Sequence, residues 1–191
     1  AAGIPAQAGC LQAEAQRVHR GFLSRVGRGR PFVTLKAAAT LDGKTALNNG
    51  VSQWITGDAA RLDVQRLRAS HDAILTGSGT VLADNPRLTV RELPVLRQPL
   101  RVVVDSQLQT SPDAAIYQID AAPTLLATAS SDASQLAAYA DQGVQTAVLP
   151  EAQGRVDLPR LLLQLAQQGV NELMVEAGAG LNGALLQAGL V

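Results

Sequence analysis

The sequence predicts an α/β protein with a mostly parallel central sheet and helices on both faces. Short apolar runs alternate with helix-like segments along most of the chain, the pattern of strand–helix repeats. The runs RVVVD and ELMVE are nearly unbroken in Val, Leu and Met, as in strands covered on both faces. Turns rich in Gly, Ser, Thr and Asp follow the candidate strands, where open α/β sheets hold ligands.

Taken in order, residues 11–26 suit a helix with Leu11, Ala15, Val18, Phe22 and Val26 on one face. Gly27, Gly29 and Pro31 stop it and make 27–31 a short linker. Strands are expected at 32–39, 72–76, 101–105, 123–128, 145–149 and 172–176, and helices at 58–69, 132–142, 157–168 and 180–188. Asp132 and Asp157 stand where a carboxylate can cap a helix start. Gly143 and Gly169 stand where a left-handed residue closes a helix. The stretch from Pro86 to Pro99, with its three prolines and its arginines, reads as an exposed loop. The closing GALLQAGLV leads toward another strand, so a C-terminal truncation is expected there.

A chain of 191 residues accommodates one domain with a short appendage. Aromatics make up only 3% of it, so the core must be built from Leu, Val, Ile and Ala. Sixteen basic residues balance sixteen acidic ones, which argues against a general nucleic-acid or membrane-surface binder. Cys10 is the only cysteine, so neither an internal disulfide nor a cysteine-based zinc site can form. Apolar runs fall short of the roughly 18 residues of a membrane span, and the start lacks signal-peptide character. The expected compartment is the cytoplasm.

Several constellations could carry chemistry. Gly178, Gly180 and Gly183 form G-x-G-x-x-G between a predicted strand and a predicted helix, where backbone and helix dipole can meet a pyrophosphate. A tight turn is the competing reading, and the motif's late position argues against a standard Rossmann unit. Gly77-Ser78-Gly79-Thr80 is a second such turn, open to phosphate contact or to simple capping. Asp84-Asn85-Pro86 reads as a turn unless Asp84 is aimed at a ligand. Arg61, Arg66 and Arg68, then Arg87, Arg91 and Arg97, offer forks for a phosphate or a solvated face. Lys36, Thr40, Asp42 and Lys44 surround the first strand end, with Asp42-Gly43 a turn. Trp54 suits core packing or stacking on a ligand ring. His19 and His71 lack metal-ligand or triad spacing. Such a collection suits hydride transfer, in which a cofactor supplies the chemistry and the protein supplies position.

In order along the chain, the motifs LDGKTA, SQWIT, GSGTVLADNPRLTVR, RVVVDS and VEAGAGLNGALLQAGLV resemble the reductase domain of the bifunctional riboflavin-biosynthesis deaminase/reductase. The resemblance runs from about Gly3 to the last residue. It implies a dihydrofolate reductase-like fold and NADPH-dependent reduction of 5-amino-6-(5-phosphoribosylamino)uracil to its ribityl product, with hydride added at the sugar C1. It implies cofactor contacts at Ala38, Trp54, Thr80, Asp84 and Ser106, and along Gly178, Ala179, Gly180, Leu181, Asn182, Gly183 and Ala184. Substrate contacts fall on Ser52, Arg68, Leu88, Arg91 and Glu176, with Arg68 and Arg91 taking the phosphate. Asp84 and Glu176 are the candidates for proton handling. A homodimer is implied as well.

By this resemblance residues 1–26 are the tail end of a deaminase domain plus a connecting helix, and 32–191 the reductase domain without its last strands. Neither deaminase activity nor a zinc site is then expected of this chain. Asn85 stands where the family usually has Asp. Two other readings are a dihydrofolate reductase-like oxidoreductase for another pterin- or pyrimidine-like substrate, and a non-catalytic nucleotide-binding fragment.

Overall fold

The computed structural model describes residues 3–52 and 54–191, so Gln53 of the SQWIT motif lies outside the described residues. Among these residues six strands form one sheet: β1 (Phe32–Leu35), β2 (Ala73–Gly77), β3 (Leu100–Val104), β4 (Thr124–Thr128), β5 (Gln145–Val148) and β6 (Glu172–Val175). Their spatial order is β1-β6-β2-β3-β4-β5, with every pairing parallel. The last strand therefore enters between β1 and β2. Val175 pairs with Leu35 on one side and Leu75 on the other, which sets the C-terminal ends of these three strands side by side. The architecture is the one expected.

Among the described residues seven α-helices accompany the sheet: α1 (Gln12–Val18), α2 (Arg20–Arg28), α3 (Asp58–Ala69), α4 (Ser78–Asp84), α5 (Ala133–Ala140), α6 (Leu158–Gln167) and α7 (Ala179–Gln187). Side chains alternate across the pleat and feed two separate cores. Ala73, Leu75, Val102, Leu125, Leu173 and Val175 meet Leu161, Leu162 and Leu165 of α6 on one face. Ile74, Val103 and Leu126 meet Val81 of α4, Tyr139 of α5 and Tyr117 on the other. Each fully buried leucine or isoleucine contributes about 1.5–3 kcal/mol relative to exposure.

Local chemistry sets the helix ends. Asp132 accepts from the Ser134 and Gln135 amides, and Asp157 from the Arg160 amide. Gly143 (φ +79°) and Gly169 (φ +90°) take the left-handed conformation that closes α5 and α6.

Four expectations change. The single helix over 11–26 is two helices broken at His19, and α2 continues to Arg28 through part of the expected 27–31 linker. Only Gly29, at φ +68°, ends it. Gly21 is there for close approach: a Cβ would stand 2.9 Å from the Asn171 carbonyl oxygen, so α2 packs hard against the end of β6. β1 ends at Leu35 rather than at 39. Gly77-Ser78-Gly79-Thr80 opens the helix α4 rather than a simple turn. The Pro86–Pro99 segment is a loop, yet Leu88, Thr89 and Val90 within it are buried, because the side chains of Arg68 on α3 and of Gln98 in the loop itself satisfy its backbone.

Beyond β3 lies a buried polar network. Asp105 Oδ2 accepts from the Thr110 amide and hydroxyl, both at 2.8 Å. Thr110 Oγ1 is 2.7 Å from the Tyr117 hydroxyl, and Tyr139 donates its hydroxyl to the Thr110 carbonyl. The two rings meet edge to face at 5.0 Å. Burial raises the pKa of both phenols above the ordinary 10.0. Their stabilising contribution is full below pH 10.0 and is lost as pH rises, because the unfolded chain releases these protons first. Burial also pushes the Arg101 guanidinium down to about 10, which acts with the opposite sign in the same alkaline range. Urea titrations at about pH 8.5 and about pH 10.8 should therefore show a smaller alkaline loss for Tyr139→Phe than for the parent chain, since Arg101 is common to both.

Candidate active site

Where β1, β6 and β2 end together, a carboxylate is gripped from two sides. Glu176 follows β6 and continues its ladder by donating its amide to the Leu75 carbonyl at 2.9 Å. Its side chain accepts from Arg68 Nε at 2.6 Å and from Arg68 Nη2 at 3.0 Å, a two-point pair that fixes the plane of the carboxylate. Arg68 also donates through Nη1 to the Thr89 carbonyl at 3.1 Å. Lys36, just past β1, brings its Nζ to 3.9 Å from Glu176 Oε2. Both members of the Arg68–Glu176 pair have side chains about one-tenth exposed, whereas Lys36 is considerably more open.

Two helices start beside this carboxylate. α7 begins after Gly178, and the first amide to find an acceptor in its own helix is that of Asn182, which donates to the Gly178 carbonyl at 3.1 Å. The amides of Ala179, Gly180 and Leu181 thus precede the intrahelical ladder. α4 begins directly at Gly77 on the neighbouring strand. Neither start carries a side-chain cap. A Cβ placed at Gly178, Gly180, Gly183 or Gly79 would meet nothing within 4 Å, while one at Gly77 would lie 3.2 Å from Leu181. Gly77 thus lets α7 pack close to β2, Gly79, Gly178 and Gly180 leave open surface at the helix mouths, and Gly183 lies a turn further along α7. Paired amide-bearing mouths with positive dipole ends suit a pyrophosphate.

The remaining expected residues fall into separate groups. Of the C-terminal stretch, Leu181 and Ala184 pack partly against the core, and Asn182 donates its side-chain amide to the Ala177 carbonyl at 3.0 Å. Thr80 is half-buried in the first turn of α4, and Asp84 is exposed at its end. Asn85 sits in the left-handed region at φ +41° and accepts from the Ala115 amide at 2.8 Å. Ser106 accepts from the Val156 amide at 3.0 Å, so part of its bonding capacity is structural. Ala38 is half-buried just beyond β1.

Ser52 and Trp54 belong to the long loop between β1 and α3, where they border a cleft of about 310 Å³ together with Thr40, Lys44 and Leu47. Trp54 is 74% exposed and stacks beneath Arg61, whose Cζ is 4.7 Å from the ring centroid. It is not a core residue. Thr40, Asp42 and Lys44 close a turn around Gly43 (φ +79°), as expected for Asp-Gly.

The two arginines expected to share a phosphate are not equivalent. Arg68 commits three of its five N–H groups to Glu176 and Thr89. Arg91 is exposed, with its amide held at 3.1 Å by Gln65 Oε1. Sequence reasoning missed Gln65 and Gln98, both of which hold this loop. The three-residue spacing of Gln65 and Arg68 on α3 was the available signal, since two polar residues on one buried helix face need partners.

A family model described as "RibD C-terminal domain" matches residues 31–191. The chain belongs to the RibD C-terminal domain family. It is similar to the riboflavin biosynthesis protein RibD of Escherichia coli (strain K12), at 46% identity over 100% of this chain and 54% of that protein. Among solved structures it resembles form 2 of Acinetobacter baumannii RibD, with a TM-score of 0.81 at 34% identity, covering 99% of this chain and 51% of that one. The Saccharomyces cerevisiae riboflavin biosynthesis reductase Rib7 gives a TM-score of 0.66 at 25% identity over 93% of this chain and 78% of that one. The chain spans about half the length of the RibD relatives it matches. These RibD reductase domains have the dihydrofolate reductase-like fold, which this chain shares.

In this RibD-family domain the Arg68–Glu176 pair should behave as a coupled unit. Removing Arg68 leaves a largely buried carboxylate with Lys36 at 3.9 Å as its remaining cation, so Arg68→Met alone should cost about 3 kcal/mol, the low end for a broken buried pair. A double-mutant cycle with Glu176→Gln, read by urea denaturation, should recover much of that loss in the double variant.

Proposed function

We propose that this domain reduces the ribosyl group of 5-amino-6-(5-phosphoribosylamino)uracil to the ribityl product, with NADPH as reductant. The observation that carries this reading is the placement of Glu176: a carboxylate of fixed orientation at the mid-sheet strand ends, between two helix mouths and a loop bearing an exposed arginine. Family membership supplies the reaction class, and the names of the relatives point to riboflavin biosynthesis and reduction.

The residues present fit a dinucleotide. Open space stands where Cβ atoms at Gly79, Gly178, Gly180 and Gly183 would be, and the amides of Ala179 to Leu181 lie ahead of the helical ladder. These groups and Thr80 would hold the phosphates, with Ser106, Asp84 and Ala38 along the rest of the cofactor. Trp54, with its ring largely open, would stack on it. NADPH, when bound, supplies the hydride that adds to the sugar C1.

The chain's own groups do the rest. Reduction of the ring-opened imine form adds hydride to C1 and requires one proton at the attached nitrogen. Glu176, an ionised carboxylate whose plane Arg68 fixes and whose charge Lys36 balances at 3.9 Å, relays that proton from solvent to the nitrogen. Asp84, at the exposed end of α4, is the less favoured alternative. Arg91 takes the substrate phosphate, assisted by the two N–H groups of Arg68 not engaged by Glu176 and Thr89. Ser52 and Leu88 border the substrate. A homodimer belongs to the same reading.

Titrating the chain with NADPH and with NADH while following Trp54 fluorescence should give saturable quenching that favours NADPH. With the phosphorylated substrate, Glu176→Gln should lower kcat by about 10²-fold or more, while Asp84→Asn keeps most of it. A loss for Asp84→Asn as large as that for Glu176→Gln would move the proton to Asp84. No nucleotide binding by a folded chain would reject the cofactor assignment.

A further inference from the structure

The loop that bears Arg91 is held in an unusual way. Leu88, Thr89 and Val90 are each less than 7% exposed, yet they belong to no strand or helix. Among the described residues, no backbone–backbone hydrogen bond involves residues 87–91. Side chains hold this backbone instead, from α3, from β3 and from Gln98 further along the same loop. Arg101 Nη1 donates to the Arg87 carbonyl at 3.1 Å, and Arg68 Nη1 to the Thr89 carbonyl at 3.1 Å. The Gln98 side-chain amide makes both bonds to Val90, accepting from its N–H at 2.8 Å and donating to its carbonyl at 2.9 Å. Gln65, itself buried, accepts from the Arg91 amide at 3.1 Å.

Gln98 thus does for Val90 what a neighbouring strand would do, and Gln65 fixes the next residue. Buried amides and carbonyls without partners are costly, so apolar residues at 65 or 98 would leave this path unsatisfied. Leu88 at φ +49° adds a backbone conformation that persists only where its surroundings impose it. The result is a rigid base with an exposed guanidinium at its end. A cation so mounted loses less freedom when it meets an anion than one on a loose loop.

We propose that Gln98 and Gln65 are positioning residues for recognition of a phosphorylated sugar, acting through the placement of Arg91. This inference rests on the reading that Arg91 meets the substrate phosphate, and the test separates the two. D-ribose 5-phosphate serves as the probe, with its Kd measured by titration calorimetry for the parent chain, Arg91→Ala, Gln98→Met and the double variant. NADPH affinity and the circular dichroism spectrum are followed in parallel.

The expected result is a loss of about tenfold or more for each single variant, unchanged NADPH affinity and no further loss on adding Gln98→Met to Arg91→Ala. Full binding by Gln98→Met alongside a loss in Arg91→Ala would overturn the positioning role and leave Arg91 as the anchor. An equal loss from Gln98→Met with and without Arg91 would also overturn it, as a general structural effect. Unchanged binding by Arg91→Ala would remove the phosphate assignment and this inference with it. Should Gln98→Met fail to fold, Gln65→Met, which removes a single hydrogen bond, puts the same question.

Discussion

The Arg68–Glu176 pair joins three parts of the molecule that are distant in sequence. Arg68 comes from the last turn of α3, Glu176 from the end of the last strand, and the third bond of the same guanidinium goes to Thr89 in the arginine-bearing loop. A buried ion pair of this kind is weak evidence for stability, because the desolvation of both charges offsets much of their attraction. Its value lies in geometry. Two parallel bonds set the plane of the carboxylate, and the Thr89 bond ties the position of the loop to that plane. The strand order makes this possible, since only the insertion of β6 between β1 and β2 places Glu176 within reach of both Lys36 and Arg68.

Around this pair the chain alternates rigid and open surface. Gly77 is constrained by Leu181 on its neighbouring helix, while Gly79, Gly178, Gly180 and Gly183 border space. The same residue type therefore serves two purposes within a few residues: close packing of α7 on the sheet, and access to backbone amides. The long loop after β1 adds an exposed tryptophan under an arginine, a surface that apolar burial alone would not maintain.

Buried polar tethers recur away from the sheet ladder. Arg101 is fully buried and gives its N–H groups to the Arg87, Gln118 and Ala122 carbonyls. Asp105 and Thr110 hold the turn beyond β3, and Asp72 Oδ2 accepts the Asn171 and Glu172 amides at the other end of the sheet. In each case a side chain satisfies backbone that has no ladder partner, so irregular segments can be buried with these backbone groups paired.

The fold class, the strand and helix alternation, the caps at Asp132 and Asp157 and the two glycine motifs are legible along the chain. These depend on local period and on residues whose backbone preferences act over a few positions. The break at His19 interrupts a continuous helical period and is not legible, while Gly77 to Thr80 read equally as a turn or a helix cap, because glycine and serine signal either. Three-dimensional packing was needed to show that Trp54 is exposed, that Arg68 is committed to a carboxylate more than a hundred residues away, and that the proline-rich loop is buried on side-chain supports. Such pairings depend on strand order and long-range contact, which leave no periodic trace along a single chain.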